Sequence, residues 1–175
     1  MKTRSQRTIV KILRFERTDE AVAWAKKVIG IDGMTGDVTT VSLLDDNDDF
    51  LAVTVFSAYT GTNIDMHIAA RPKSHWLSRS FFNASFELPF RVLEVPRVTG
   101  LIRAENLDAQ RFVSRLGFQY EGRMRKAFPD GGDLVLYGLL REEYLKHPWS
   151  ENETDRKVAL SSSEAGLPGA CRGTA

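Results

Sequence analysis

Apolar residues recur at helical intervals in DEAVAWAKKVI, residues 19–29, where Val22, Ala25, Val28 and Ile29 share a side, acidic residues open the first turn and Gly30 follows the last. This spacing predicts a helix stopped by glycine. The stretch VTTVSLLDDNDDFLAVTVFSAYTGTNIDMHIAA then breaks at DDNDD and YTGTN, which predicts three strands, at about 38–44, 50–58 and 63–70, in an antiparallel meander. Trp76, Leu77, Phe81, Phe82, Ser85 and Phe86 return at mixed helical spacings, a second helix that Pro89 is expected to end. PRVTGLIRA reads as a strand, and NLDAQRFVSRLG as a helix capped by Asn106 and stopped by Gly117. Residues 118–128 and 133–140 read as a hairpin joined through PDGG. The order predicts one α+β domain over residues 1–149, a mixed, mostly antiparallel sheet flanked by helices. Residues 150–175, small, polar and aperiodic, are expected to form a flexible tail.

Composition narrows what such a domain does. Its 175 residues are 42% hydrophobic and 27% charged, enough for one soluble domain with a sizeable core. Lysine and arginine total 24 against 23 acidic residues, a net charge of +1, so no global field draws the chain to nucleic acid or an anionic membrane. Arg123, Arg125 and Lys126 form a local basic run, but no nucleic-acid recognition motif accompanies them. The one cysteine, Cys171, excludes an intramolecular disulfide and a cysteine-based metal cluster, as in a reducing compartment. No apolar run approaches the roughly 18 residues of a membrane span, and MKTRSQRTIVKILRF lacks the continuous apolar stretch of a secretion signal. A cytoplasmic protein without a metal is the expectation.

Candidate chemistry lies in three places. Alternation along NIDMHIAA puts Asn63, Asp65, His67 and Ala69 on one strand face and Ile64, Met66, Ile68 and Ala70 on a core face. A carboxylate two residues from an imidazole is a pairing that can deprotonate an amine; the plainer reading is a solvated sheet face. Next, ARPKSHWLSRS surrounds a predicted helix start with Arg71, Lys73, His75 and Arg79, which suits a phosphate or an ordinary basic loop. Finally, Asn106 is explained as a helix cap, and Phe112, Leu116 and Phe118 as core. The acidic turn Asp45, Asp46, Asp48, Asp49 reads as a solvated hairpin tip that could also attract a cationic amine.

The last third of the chain carries a resemblance. Phe90 followed by Arg97-Val98, then Asn106, Ala109, Leu116-Gly117-Phe118 and Glu121-Gly122, and the ending RMRKAFPDGGDLVLYGLLREEY, resemble the GNAT superfamily of N-acetyltransferases. The likeness is to its branch acetylating ribosomal-protein N-termini and related amines, and is close over about residues 88–144. It implies a fold whose fourth and fifth strands splay apart to admit the pantetheine arm of acetyl-CoA, used as co-substrate. Backbone groups of Ile68, Ala69 and Ala70 are then expected to pair with the pantetheine amides, as an added strand would. A backbone N–H near Ala69 or Ala70 would meet the developing oxyanion.

Asn106, with Ala109 and Phe112 on its helix, is implied to reach the same cofactor. The family's phosphate loop falls on Arg71, Lys73, Ser74, His75, Trp76, Leu77 and Ser78, with Ser74 and Trp76 where glycines are expected, a degenerate form of that loop. Trp76 adopts Gly-only angles at high cost, so this loop is expected to be shaped differently. Val113 stands where many members carry a thiolate-protonating Tyr.

The first reading is therefore an acetyl-CoA-dependent N-acetyltransferase acting by direct transfer to a small-molecule or protein amine, with Asp65 or His67 as base. The second is a noncatalytic binding protein on the same fold. A homodimer is the default assembly.

Overall fold

The computed structural model describes residues 12–14, of which the backbone alone, and 18–30, 34, 37–148 and 150. The chain runs β1 (Ile12–Arg14), α1 (Thr18–Ile29), β2 (Thr39–Leu44), β3 (Phe50–Ser57), β4 (Asn63–Ala70), α2 (Arg79–Glu87), β5 (Arg97–Arg103), α3 (Leu107–Arg115), β6 (Gln119–Met124), β7 (Leu134–Leu140) and α4 (Arg141–Lys146). The strands form one seven-stranded sheet in the order β1-β2-β3-β4-β5-β7-β6. Strands β1 to β4 are an antiparallel meander, of which β2 to β4 are the three strands that the breaks at DDNDD and YTGTN predict.

Both sheet faces are covered around β3, which is buried at every position, as its near-continuous apolar run demands. On one side α1 lays Ala21 and Ala25, both fully buried, against Leu44, Phe50, Val53, Val55 and Ala69. On the other, α2, α3 and α4 cover a larger core centred on Phe56, Phe81, Phe86, Phe90 and Tyr144. The Asp65 and His67 face of β4 is thus half roofed by α1 rather than open to solvent.

Several boundaries differ from the sequence reading for local reasons. The α2 helix starts at Arg79, with the Ser78 hydroxyl accepting the Phe81 N–H at 3.3 Å, so Trp76 and Leu77 precede it. Its α-helical hydrogen bonding ends before Pro89, yet the chain keeps winding as a wider π turn, Leu88–Val92, closed by Leu93 N–H on the Leu88 carbonyl at 2.9 Å. Proline near the head of that turn lacks a donor where none is needed. Strand β6 stops at Met124, because the carboxylate of Asp133 takes the Lys126 N–H at 2.7 Å and folds the following residues into a wide loop. Strand β1 and helix α4 were not anticipated; at three and six residues they are too short to show a period. Glu143 accepts the Leu140 N–H at 2.9 Å to start α4. Ser150, expected to open the tail, is buried and donates to the His147 carbonyl at 2.7 Å. Residues 151–175, including Cys171, lie outside the described residues.

One feature of the sheet positions the site. Strands β4 and β5 pair in parallel only over Asn63–Asp65 with Arg97–Thr99. From Met66 and Gly100 onward they share no ladder, so β4 presents an edge toward a wedge-shaped opening in mid-sheet.

Candidate active site

Asp65 and His67 sit where the two strands part. Asp65 lies opposite Ser57 on β3 and Thr99 on β5, and His67 opposite Val55. His67 is 7% exposed and its Nε2 stands 3.4 Å from the Ser57 hydroxyl. Burial pushes the His67 pKa below its usual 6.5, with the Asp65 charge opposing. The imidazole is therefore neutral at pH 7 and able to accept a proton. Burial raises the Asp65 pKa, against a hydrogen bond from Asn63 and the charges of His67 and Arg97.

A stability prediction follows from His67. Its folded pKa is depressed, so below the unfolded value of about 6.5 the unfolded chain binds the extra proton and stability falls as pH drops. Urea denaturation at pH 7 and pH 5 should show a smaller acid loss in His67→Gln than in the wild type. An equal loss in both would contradict the buried neutral assignment.

The segment after β4 is shaped by its own bonds. Ser74 N–H and hydroxyl both reach the Arg71 carbonyl, at 3.3 and 2.8 Å. Lys73 carries the loop's left-handed backbone, φ 59°, whereas Ser74 and Trp76 do not adopt positive φ. Arg71 turns back to the β2–β3 turn, 3.3 Å from Asp45 and 3.9 Å from Asp49. Asp45 also accepts the Asn47 and Asp49 N–H groups, at 3.0 and 3.1 Å. Part of the acidic turn is thus an internal brace. Trp76 is half-buried, edge-on to Phe81 at 6.1 Å and to Phe112 at 5.4 Å, which ties the approach to α2 onto α3. Lys73, His75 and Leu77 are exposed and Ser78 is half-buried.

Across the opening, Asn106 caps α3, its Oδ1 accepting the Ala109 N–H at 3.0 Å. Ala109, Phe112 and Val113 pack against the large core from the α3 side, joined there by Ile68 and Ala70 from β4. Ala69 points the other way, fully buried under α1, so its backbone is what it offers. Ser57 and Thr99, which the sequence did not single out, flank Asp65 from β3 and β5, while Glu121 on β6 and Gly138 on β7, noted in sequence only as parts of the resembling motifs, lie beyond them. Arg97 and Thr99 alternate onto one face, but the parallel register is what sets them beside Asn63 and Asp65.

The residues present are compatible with acetyl-CoA at two points: the β4 edge that has no ladder partner beyond Asp65 could pair with a ligand carrying amide groups in line, and the start of α2 could offer N–H groups to a phosphate. Among the described residues no group of three or more His, Cys, Asp or Glu is placed to hold a metal, and no helix is long and apolar enough to cross a membrane.

The meander, the parted β4 and β5 and the final hairpin form a fold that solved N-acetyltransferase structures share. No family model matches the chain, and no curated protein matches it. Solved structures do. A variant of spermidine N-acetyltransferase from Vibrio cholerae aligns at 13% identity with a TM-score of 0.62, over 78% of this chain and 96% of that one. The spermidine/spermine N-acetyltransferase of Vibrio cholerae, in complex with manganese ions, aligns at 14% and 0.60, over 77% and 95%. A chimera of the Vibrio cholerae enzyme aligns at 14% and 0.63, over 78% and 99%. At such identities the fold is what is shared.

Proposed function

We propose that this chain is an N-acetyltransferase that moves an acetyl group from acetyl-CoA directly to a primary amine. The observation that carries the reading is the parting of β4 from β5 beyond Asp65, with Asp65 and His67 at its apex and capped α3 on its far side. Acetyl-CoA supplies the acetyl group as an activated thioester. The backbone of Ile68, Ala69 and Ala70 holds the pantetheine arm; Lys73, Ser74, His75, Ser78 and the α2 start receive its phosphates; and Asn106, Ala109, Phe112, Trp76 and Leu77 flank it. Arg71 shapes this loop through Asp45. His67, kept neutral by burial, takes the proton from the attacking amine, and the adjacent Asp65 carboxylate stabilises the imidazolium that forms.

The neighbouring enzymes act on spermidine, whereas the sequence motifs resemble the branch that acts on ribosomal-protein N-termini. An amine screen with thiol detection, containing spermidine and alanine-starting peptides, selects between them; release of CoA with none of these amines would count against the reading.

Asn106 separates cap from ligand contact. Asn106→Ala should cost about 1 kcal/mol through the lost cap and also weaken acetyl-CoA binding. Asn106→Ser should keep the cap and still bind the cofactor less tightly, measured by calorimetry. Unchanged affinity in both would remove Asn106 from the site.

A further inference from the structure

We propose that Thr99 and Asn63 are positioning residues, the middle links of a one-way chain of hydrogen-bond donors that starts at Arg97 and holds the Asp65 carboxylate ionised and aimed. The inference deepens the acetyltransferase reading and rests on it for the reaction, but the chain itself is read from geometry. Arginine can only donate, and Arg97 Nε–H points at the Thr99 hydroxyl oxygen at 3.2 Å. That hydroxyl has one hydrogen, given to Asn63 Oδ1 at 2.6 Å. The amide is thereby oriented, so Nδ2 donates to Asp65 Oδ1 at 3.2 Å. Each bond fixes the direction of the next, and bonds aligned in one sense polarise one another. The order runs from a cation to a carboxylate.

The far end of the chain is anchored with equal care. Glu121 grips the Arg97 guanidinium with both oxygens, Oε1 accepting from Nη1 at 2.7 Å and Oε2 from Nη2. A bulge in β6 between Tyr120 and Gly122 breaks the strand's alternation at Glu121. The ion pair crosses β7 at Gly138, where a Cβ would come within 2.3 Å of Glu121 Oε1 and 2.7 Å of both Arg97 terminal nitrogens. Glycine at that position leaves the passage for the pair. Four strands, β4 to β7, thus contribute to one line of contacts ending at Asp65.

Among the described residues few other groups act on that carboxylate. His67 faces it from β4 and Arg97 from β5, with Glu121 of β6 behind Arg97. Opposite on β3 stands uncharged Ser57, and the residues α1 buries on this face are Ala21 and Ala25. An anion maintained beside a neutral imidazole is what lets that imidazole take a proton from an ammonium; a half-buried carboxylate without donors would protonate instead.

The test is Thr99→Val, which keeps the shape and removes the link, with Thr99→Ser as the conservative rescue and Gly138→Ala as a second route. In Gly138→Ala the three atoms nearest the new methyl are the ends of the flexible Arg97 and Glu121 side chains, which can be pushed aside with the fold kept. The readouts are NMR titrations of the Asp65 carboxyl and His67 imidazole, and the split between kcat and KM. Thr99→Val and Gly138→Ala should raise the Asp65 pKa, lower that of His67, and reduce kcat about tenfold with the acetyl-CoA KM unchanged, as loss of one hydrogen bond in the chain implies. Thr99→Ser should restore all three. Titrations that stay in place while only stability falls would overturn the proposal and leave an inter-strand brace. Shifted titrations in a protein that acetylates no amine would support the chain while removing the acetyltransferase reading.

Discussion

His67→Gln is expected to lower kcat by about 10²–10⁴-fold while leaving acetyl-CoA affinity unchanged. Glutamine is near the imidazole in size and can still bond the Ser57 hydroxyl, which lies 3.4 Å from His67 Nε2, so the strand pairing and the packing under α1 are preserved. What is lost is a group that accepts a proton near neutral pH. The cofactor contacts assigned to the β4 backbone do not involve the side chain, hence the separation of turnover from binding. Steady-state kinetics with calorimetry on the same sample checks both halves. Undiminished turnover would move the base to Asp65 or to water, and a parallel loss of affinity would mean that the substitution disturbed the wedge itself.

Phe86→Ala should give the largest loss of stability, about 3–5 kcal/mol. The ring is fully buried and packs among four rings of the larger core: Phe82 at 4.6 Å between centroids, Tyr144 at 5.1 Å, Phe90 at 6.0 Å and Phe118 at 6.1 Å. Those partners belong to α2, the turn after it, the approach to β6, and α4, so one side chain joins segments far apart in sequence. Aromatic contacts add about 0.5–1.5 kcal/mol per pair beyond buried area, and rigid neighbours cannot collapse into the space. A domain of this kind holds about 5–15 kcal/mol in total, so the variant should approach marginal folding. Urea unfolding should show a lower midpoint at an unchanged slope. A cost below about 1 kcal/mol would mean that the core repacks freely around Phe86.

The sequence made local structure legible and left long-range pairing hidden. Strands β2, β3 and β4 follow from alternation and from turn residues at DDNDD and YTGTN, and α3 from its cap and its glycine stop. Gly117 takes φ 95° and Asn106 bonds the Ala109 N–H, both as their residue types predict. By contrast β1 and α4 leave no periodic trace, and the winding past Pro89 needs the π turn that tertiary packing stabilises. At the site, period-two spacing brought Asp65 and His67 to one face, but it could not show that α1 roofs that face. Nor could it find Thr99, or connect Glu121 and Gly138, visible only as parts of the resembling motifs, to Asp65, because that relation exists only once β4, β5, β7 and β6 are in register. The loop from Arg71 to Ser78 shows the same limit. Its basic residues are visible in sequence, while the diversion of Arg71 to Asp45 and the seating of Trp76 against Phe112 are tertiary.

The central claim is that the wedge between β4 and β5 holds acetyl-CoA. Isothermal titration of the purified protein with acetyl-CoA, beside CoA and a dephosphorylated analogue, tests it most directly. The account predicts micromolar binding of acetyl-CoA and CoA, with weaker binding of the analogue because Lys73, His75 and the start of α2 lose a charged partner. No heat and no thermal shift at millimolar acetyl-CoA would contradict it.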